Sequence, residues 1–257
     1  MSTVGLSAPR TKDVHFFRTC ITVMAVILVS GFITNVAMGR SSFGAPLVVH
    51  IHAFVFMAWV GIVISQVWLA AAGKMQVHRA LGGLALFWPV AMIIMGTLVT
   101  AAAVRTGRVP FFLQPQHLLI GDPATVLGFG GLFAAAVSLR HRPDWHARLQ
   151  VGAFAMLMGP GFGRLIPMPL LIPYAFDIAA GLALVFLAVG GVRDLRVHGR
   201  VHPAWWVGSA TLVGVLAIAR VITFSPLGDA IYDMVVRGTP MAGSDGLAFP
   251  PLPGLPG

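Results

Sequence analysis

Long apolar runs separated by short polar segments dominate the pattern of this chain. A helix needs about 20 apolar residues to cross the hydrocarbon core of a bilayer. Seven runs satisfy that requirement, and they lie at residues 19–38, 46–73, 81–104, 117–139, 145–163, 169–192 and 204–224. The pattern therefore predicts an all-α fold, a polytopic transmembrane helical bundle of about seven spans.

The composition supports a membrane location, because 57% of the residues are hydrophobic and only 10% are charged. A water-soluble globule of this composition would expose large apolar patches. We expect one transmembrane domain at residues 19–224, preceded by an arm at 1–18 and followed by a Pro/Gly-rich tail at 225–257. The stretch 238–257 is rich in Pro and Gly, so we expect it to form neither a helix nor a packed core, and to be disordered or ordered only against a partner.

The net charge of +9 would suggest a nucleic-acid partner in a soluble protein. Here the basic residues flank apolar runs, where they anchor helices, so we expect the bilayer as partner and no nucleic acid. With the N-terminus in the cytoplasm, eleven of the 17 Lys and Arg residues lie on the cytoplasmic side. The positive-inside rule therefore predicts a cytoplasmic N-terminus and an extracytoplasmic tail.

Histidine is the residue type in this chain that can best serve as a ligand of a metal ion or a haem iron. All eight acidic residues are Asp, and the lone cysteine is Cys20, which excludes cysteine-based metal sites and H-E-x-x-H zinc motifs. From His52 to Gly73 a helix rises about 32 Å at 1.5 Å per residue. The histidines therefore form an outer group, with His50, His52 and His117, and an inner group that includes His78 and His146.

In the outer group, His50 and His52 point about 200° apart on a regular helix, so they cannot both face one site. His52 instead shares a heptad seam with Trp59 and Gln66. These histidines are either functional ligands or interfacial residues that bond to water or a loop carbonyl.

Four charged residues are predicted at the same outer level, namely Asp122, Arg164, Asp177 and Arg220. Charges buried at that depth require partners. We expect a structural ion pair of Arg164 with Asp122 or with Asp177.

In the inner group, His78-Arg79 and His146-x-Arg148 each open a predicted helix, and the two segments are alike enough to suggest a repeated helical hairpin. His and Arg at a helix N-terminus can hold an anion such as a lipid phosphate or a haem propionate. The alternative is that these basic side chains extend into the cytoplasmic headgroup layer.

Imidazole pairs on facing helices clamp a haem iron from both sides. We therefore predict His50 or His52 with His117, and His78 with His146, as cofactor positions, with Arg79 and Arg148 as anion partners and His52 and His117 as the candidate metal ligands. The cofactor would be one or two b-type haems or a copper ion. This layout resembles the two-haem cytochromes of the b561 type, which pass electrons across a membrane.

A longer pattern runs from His50 to Ala204. It consists of His50-Ile-His52, Trp59, Gln66, His78-Arg79-x-Leu-Gly82, Asp122, His146-x-Arg148-Leu, Pro160-x3-Arg164 and Asp194-Leu-x5-Arg200-Val-His202-Pro-Ala. This order resembles a widespread bacterial family of multi-pass inner-membrane proteins. The resemblance implies an inner-membrane location and a histidine-lined feature, and it supplies no reaction. Gln150 departs from the Met expected there, and the Pro/Gly tail lies outside the pattern.

Three functions stay open at this point. The first is electron transfer by a haem or metal held by the histidine pairs. The second is a noncatalytic accessory subunit of a larger membrane complex, with the tail on a partner. The third is a transporter. Two observations argue against transport: the charged residues lie toward one face of the membrane, and Pro89 is the only clear helix breaker at mid-span, whereas transporters have paired broken helices.

Overall fold

The computed structural model describes residues 11–41 and 44–252. Every element in that part of the chain is helical, which confirms the all-α prediction. The helices are α1 Thr11–Ala37, α2 Leu47–Ala71, α3 Met75–Ala85, α4 Trp88–Arg105, α5 Pro115–Ser138, α6 Pro143–Ala155, α7 Gly159–Leu165, α8 Ala175–Gly181, α9 Leu184–His198, α10 Pro203–Thr223 and α11 Pro226–Val236, with a 3₁₀ turn at Met168–Leu171.

Six helices in the described residues are long and apolar enough to span a membrane. They correspond to α1, α2, α4, α5, α8 with α9, and α10. A further passage is made by α6 and α7 together, which connect the end of α5 to the start of α8. The prediction of about seven spans therefore agrees with the fold. We call the end of the bundle that holds the starts of α1, α3, α6 and α10 the inner end, because charge predicts that it faces the cytoplasm.

Three of the crossings of the bundle contain a single 3₁₀ turn near their middle, where one helix ends and the next begins. The amides of Leu86, Leu157 and Ala183 each donate to the carbonyl three residues earlier, which is the 3₁₀ pattern. These turns separate α3 from α4, α6 from α7, and α8 from α9. Pro89 is thus not the only interruption of the helices in the described residues. A 3₁₀ turn needs no Pro, so hydropathy alone does not reveal it.

The passage formed by α6 and α7 lies at the centre of the bundle. All residues from 151 to 158 are buried. A Cβ on Gly31 of α1 would lie 2.6 Å from the carbonyl oxygen of Gly161 in α7. Only glycine permits that approach of two backbones, which is how small residues allow helices to pack closely in membranes.

The tail packs against the outer end of the bundle. The backbone amide of Gln116 donates to the Gly246 carbonyl at 2.8 Å, and Nε2 of Gln114 donates to the Leu247 carbonyl at 2.7 Å. The expectation of a disordered or partner-dependent tail is therefore wrong for residues up to 252. Pro and Gly prevent a helix there, but the glutamines of α5 satisfy the loop carbonyls. Residues 1–10 of the predicted arm and 253–257 of the tail lie outside the described residues.

Candidate functional site

Two histidines at the inner end have matching surroundings. His78 on α3 places Nδ1 3.2 Å from the Gln66 carbonyl of α2. His146 on α6 places Nδ1 2.7 Å from the Ala136 carbonyl of α5. In both cases a histidine in the first turns of a helix reaches back to the preceding span. This geometry supports the similarity of the two hairpins that the sequence suggests.

The bond to a carbonyl determines which ring nitrogen carries the proton. A carbonyl only accepts, so Nδ1 donates and Nε2 is the unprotonated nitrogen of the neutral ring. Metal-bound histidines usually have this arrangement, with one ring N–H bonded to a carbonyl or carboxylate. Both residues are half-buried rather than fully enclosed.

The two rings belong to one region of the bundle. The Trp59 ring of α2 packs against Phe133 of α5, with ring centroids 5.3 Å apart. Gln66 lies two turns below Trp59 and Ala136 lies one turn below Phe133, so both partner carbonyls are beneath this aromatic contact.

The two arginines predicted to hold an anion differ in their exposure and in their hydrogen-bond partners. Arg79 is exposed beside His78. Arg148 is buried, and its Nε and Nη2 donate to the Asp194 carboxylate at 2.6 and 2.8 Å. Its Nη1 donates to the Asp144 carbonyl at 2.9 Å. Arg148 is therefore engaged within the protein, and Arg79 is the better anion partner.

Sequence reasoning missed the network around Asp194. This carboxylate is fully buried and also accepts from Trp205 Nε1 at 2.8 Å. Arg193 extends the network by pairing with Asp13 of α1 at 2.5 Å. The sequence did contain an indication of this network. Asp194 is an acidic residue near the end of an apolar run, and an acidic residue there requires a cationic partner.

The outer half of the bundle contains a polar cluster of His52, Thr100, Asp122 and Arg164. Thr100 of α4 donates to Oδ2 of Asp122 on α5 at 3.0 Å. Arg164 of α7 interacts electrostatically with both Asp122 and His52. Its guanidinium lies over the Phe32 ring of α1, 4.2 Å from the centroid. Side chains from five helices thus converge on one polar region within the span.

Several buried polar atoms in the described residues have no hydrogen-bond partner there. They include Nδ1 of His52, Nε1 of Trp59 and Oε1 of Gln66, which together form the predicted heptad seam, and Nε of Arg164. An unsatisfied polar group in a membrane interior costs several kcal/mol. His52 and Arg164 belong to the outer cluster, which therefore has capacity for a polar ligand or bridging water.

The predicted ion pair of Arg164 with Asp177 is wrong. Asp177 of α8 pairs with Arg220 of α10 at 2.5 Å, and His117 lies 3.6 Å away on its other oxygen. Asp122 is an electrostatic neighbour of Arg164, but among the described residues the two make no ion pair within 4.0 Å.

His52 and His117 have separate surroundings. His117 packs against Phe176 and Phe224, whereas His52 stacks on Phe56 with ring centroids 4.2 Å apart. On α5, His117 points about 140° away from Asp122, the residue that shares the outer cluster with His52. The structure also places His50 two residues before His52, half-buried at the start of α2. The described residues contain no group of three or more His, Cys or Asp side chains that could hold a metal ion.

No protein-family model matches the chain, and neither a curated protein nor a solved structure matches it. Any functional conclusion therefore depends on the contacts of the residues themselves. Two regions qualify as candidate sites, namely the inner histidine pair of His78 and His146 and the outer cluster around Arg164.

Proposed function

We propose that this integral membrane protein transfers electrons with one b-type haem bound by His78 and His146 at the inner end. The observation that carries the proposal is the matched pair of Nδ1 bonds to the Gln66 and Ala136 carbonyls. The same bond in both hairpins fixes both rings and presents Nε2 as the ligand nitrogen.

Haem fits two histidines better than a bare copper ion does. The porphyrin supplies four nitrogens to the iron, so the protein needs to provide only the axial ligands. Blue-copper sites use two His and one Cys as ligands, and the described residues contain no group of three or more such side chains. The copper alternative predicted for His52 and His117 therefore has less support than haem at the inner pair.

The surroundings of the inner pair suit an amphipathic cofactor. The bound haem iron would accept and release single electrons. On the protein side, His78 and His146 would orient the iron, and the aromatic contact of Trp59 and Phe133 above them would exclude water. Arg79, exposed next to His78, would bind a propionate.

The test is a visible absorption spectrum of the purified protein, with and without dithionite, after expression with a haem precursor. We expect the sharp reduced bands of bis-imidazole haem in the wild type. His78→Ala and His146→Ala should each abolish them. His141→Ala is the matched control, because His141 is an exposed histidine in the loop before α6. A wild type without pigment, or equal pigment in His78→Ala and His141→Ala, would refute the proposal.

Transport is a second candidate function, and the outer cluster favours it. Three passages contain a 3₁₀ turn, and discontinuous helices with buried charges are a feature of secondary transporters. The unpartnered Nε of Arg164 would then bind an anionic solute. Currents from proteoliposomes on a solid support, measured with small carboxylates, test this candidate. Arg164→Gln should abolish the currents, whereas His78→Ala should not change them.

A further inference from the structure

A groove between α4 and α5 opens on the outside of the bundle. Its volume is about 490 Å³, within the ~300–1,000 Å³ typical of small-molecule sites. The side chains along its rim are exposed, with Val90 at 55% and Leu127 at 57%. The part of the wall used below consists of Leu86, Val90, Leu127, Gly131, Val137 and Ser138.

The length and depth of the groove match one leaflet of a bilayer. From Leu127 to Ser138 the α5 helix rises about 16 Å. That distance is about half of the ~30 Å hydrocarbon core. Ser138 is the last residue of α5 at the inner end, so the groove lies in the inner half of the span.

The chemistry of the groove changes from apolar to basic at its inner mouth. A Cβ on Gly131 would have no neighbouring atom within 4 Å, so the space over this residue is open, and most residues that line the groove are apolar. At the mouth, Arg140 is exposed and its Nη1 donates to the carbonyl of the groove residue Val137 at 3.3 Å. The guanidinium therefore lies beside the inner end of the groove.

We propose that this groove binds an anionic phospholipid of the inner leaflet, with one acyl chain along α4 and α5 and the phosphate on Arg140. Basic pockets between helices on the cytoplasmic side bind such headgroups. A second copy of the chain fits less well. A two-fold axis that places the grooves of two copies face to face would bring their Arg140 side chains close together, where like charges repel.

The experiment is native mass spectrometry of the delipidated protein, titrated with phosphatidylglycerol or phosphatidylcholine of identical acyl chains. We expect one phosphatidylglycerol to bind more tightly than phosphatidylcholine. Arg140→Gln should reduce this preference about fivefold, the usual contribution of one basic residue near an anionic surface. Arg196→Gln is the control, because Arg196 is exposed at the inner end of α9, away from the groove.

Gly131→Phe tests the groove itself. The new ring would occupy the open space over this residue and remove the bound lipid of either headgroup. Gly61→Phe is its control, because Gly61 is also exposed and has open space around its Cβ position, but lies on α2. Equal affinity for both lipids, equal effects of Arg140→Gln and Arg196→Gln, or unchanged lipid stoichiometry in Gly131→Phe would overturn the proposal. Dissociation of a wild-type dimer by Gly131→Phe would instead identify a second copy as the occupant. Since none of these variants alters the inner histidines, the outcome does not depend on the haem proposal.

Discussion

We expect Asp194→Ala to destabilise the inner end of the bundle by about 3–5 kcal/mol, the usual cost of removing one partner from a buried ion pair. Asp194 is 0% exposed and Arg148 only 4%, so neither charge has access to water. The substitution leaves the Arg148 guanidinium without its two carboxylate bonds and the Trp205 indole N–H without its acceptor. These losses share one carboxylate, so their costs are not additive.

The assay is unfolding of the purified protein in mild detergent, followed by tryptophan fluorescence. Asp144→Ala is the control. The Asp144 side chain is 50% exposed, and its hydrogen bond with His202 should contribute about 0–1 kcal/mol. The double variant Arg148→Met with Asp194→Leu should recover most of the lost stability, because apolar side chains replace a buried pair at little cost. If Asp194→Ala costs no more than Asp144→Ala, or the double variant costs as much as Asp194→Ala, the reasoning is refuted.

Three further predictions follow from other contacts. Gly190→Ala should cost about 1–3 kcal/mol in the same unfolding assay, because its Cβ would overlap the Trp205 ring; unchanged stability would contradict this packing. His202 caps α10 by accepting the Ala204 amide on Nδ1 and donates from Nε2 to Asp144, so the neutral ring satisfies both bonds. Burial lowers the pKa of His202 below the ordinary 6.5 despite the opposing hydrogen bond to Asp144, so stability should fall as pH decreases below about 6.5. His202→Asn, which can still cap the helix, should reduce that dependence between pH 7 and pH 5. Gln116→Ala should release the tail to limited proteolysis, since its side chain bonds to the end of α10 and to α11; an equally resistant tail would show that other contacts hold it.

The number of spans could be predicted because lipid imposes a length on every apolar run. The helix boundaries could not, since hydropathy reports where a helix is apolar and not where it begins. The third predicted span starts at residue 81, whereas α3 begins at Met75. Its first residues are polar enough to lie outside the apolar run and are still helical.

The end of the bundle at which a site residue lies could also be predicted, but its direction around the helix could not. Asp177, Arg164 and Arg220 are all predicted at the outer end, yet Arg220 and not Arg164 is the partner of Asp177. A helix with lipid on one side and apolar helices on the other has little polarity difference between its faces. Sequence therefore indicates which residues share a level and leaves several pairings open.

The buried network at the inner end also bears on the proposed haem site. His146 and Arg148 lie on the first two turns of α6, and Arg148 fixes that helix to α9 through Asp194. The same segment is bound to α5 through the bond of His146 to Ala136. A ligand histidine must keep its ring within a narrow range of orientations, and side-chain bonds to neighbouring elements provide that rigidity. Arg148 is thus better explained as the residue that positions His146 than as an anion partner, because its donors are already engaged by Asp194 and Asp144.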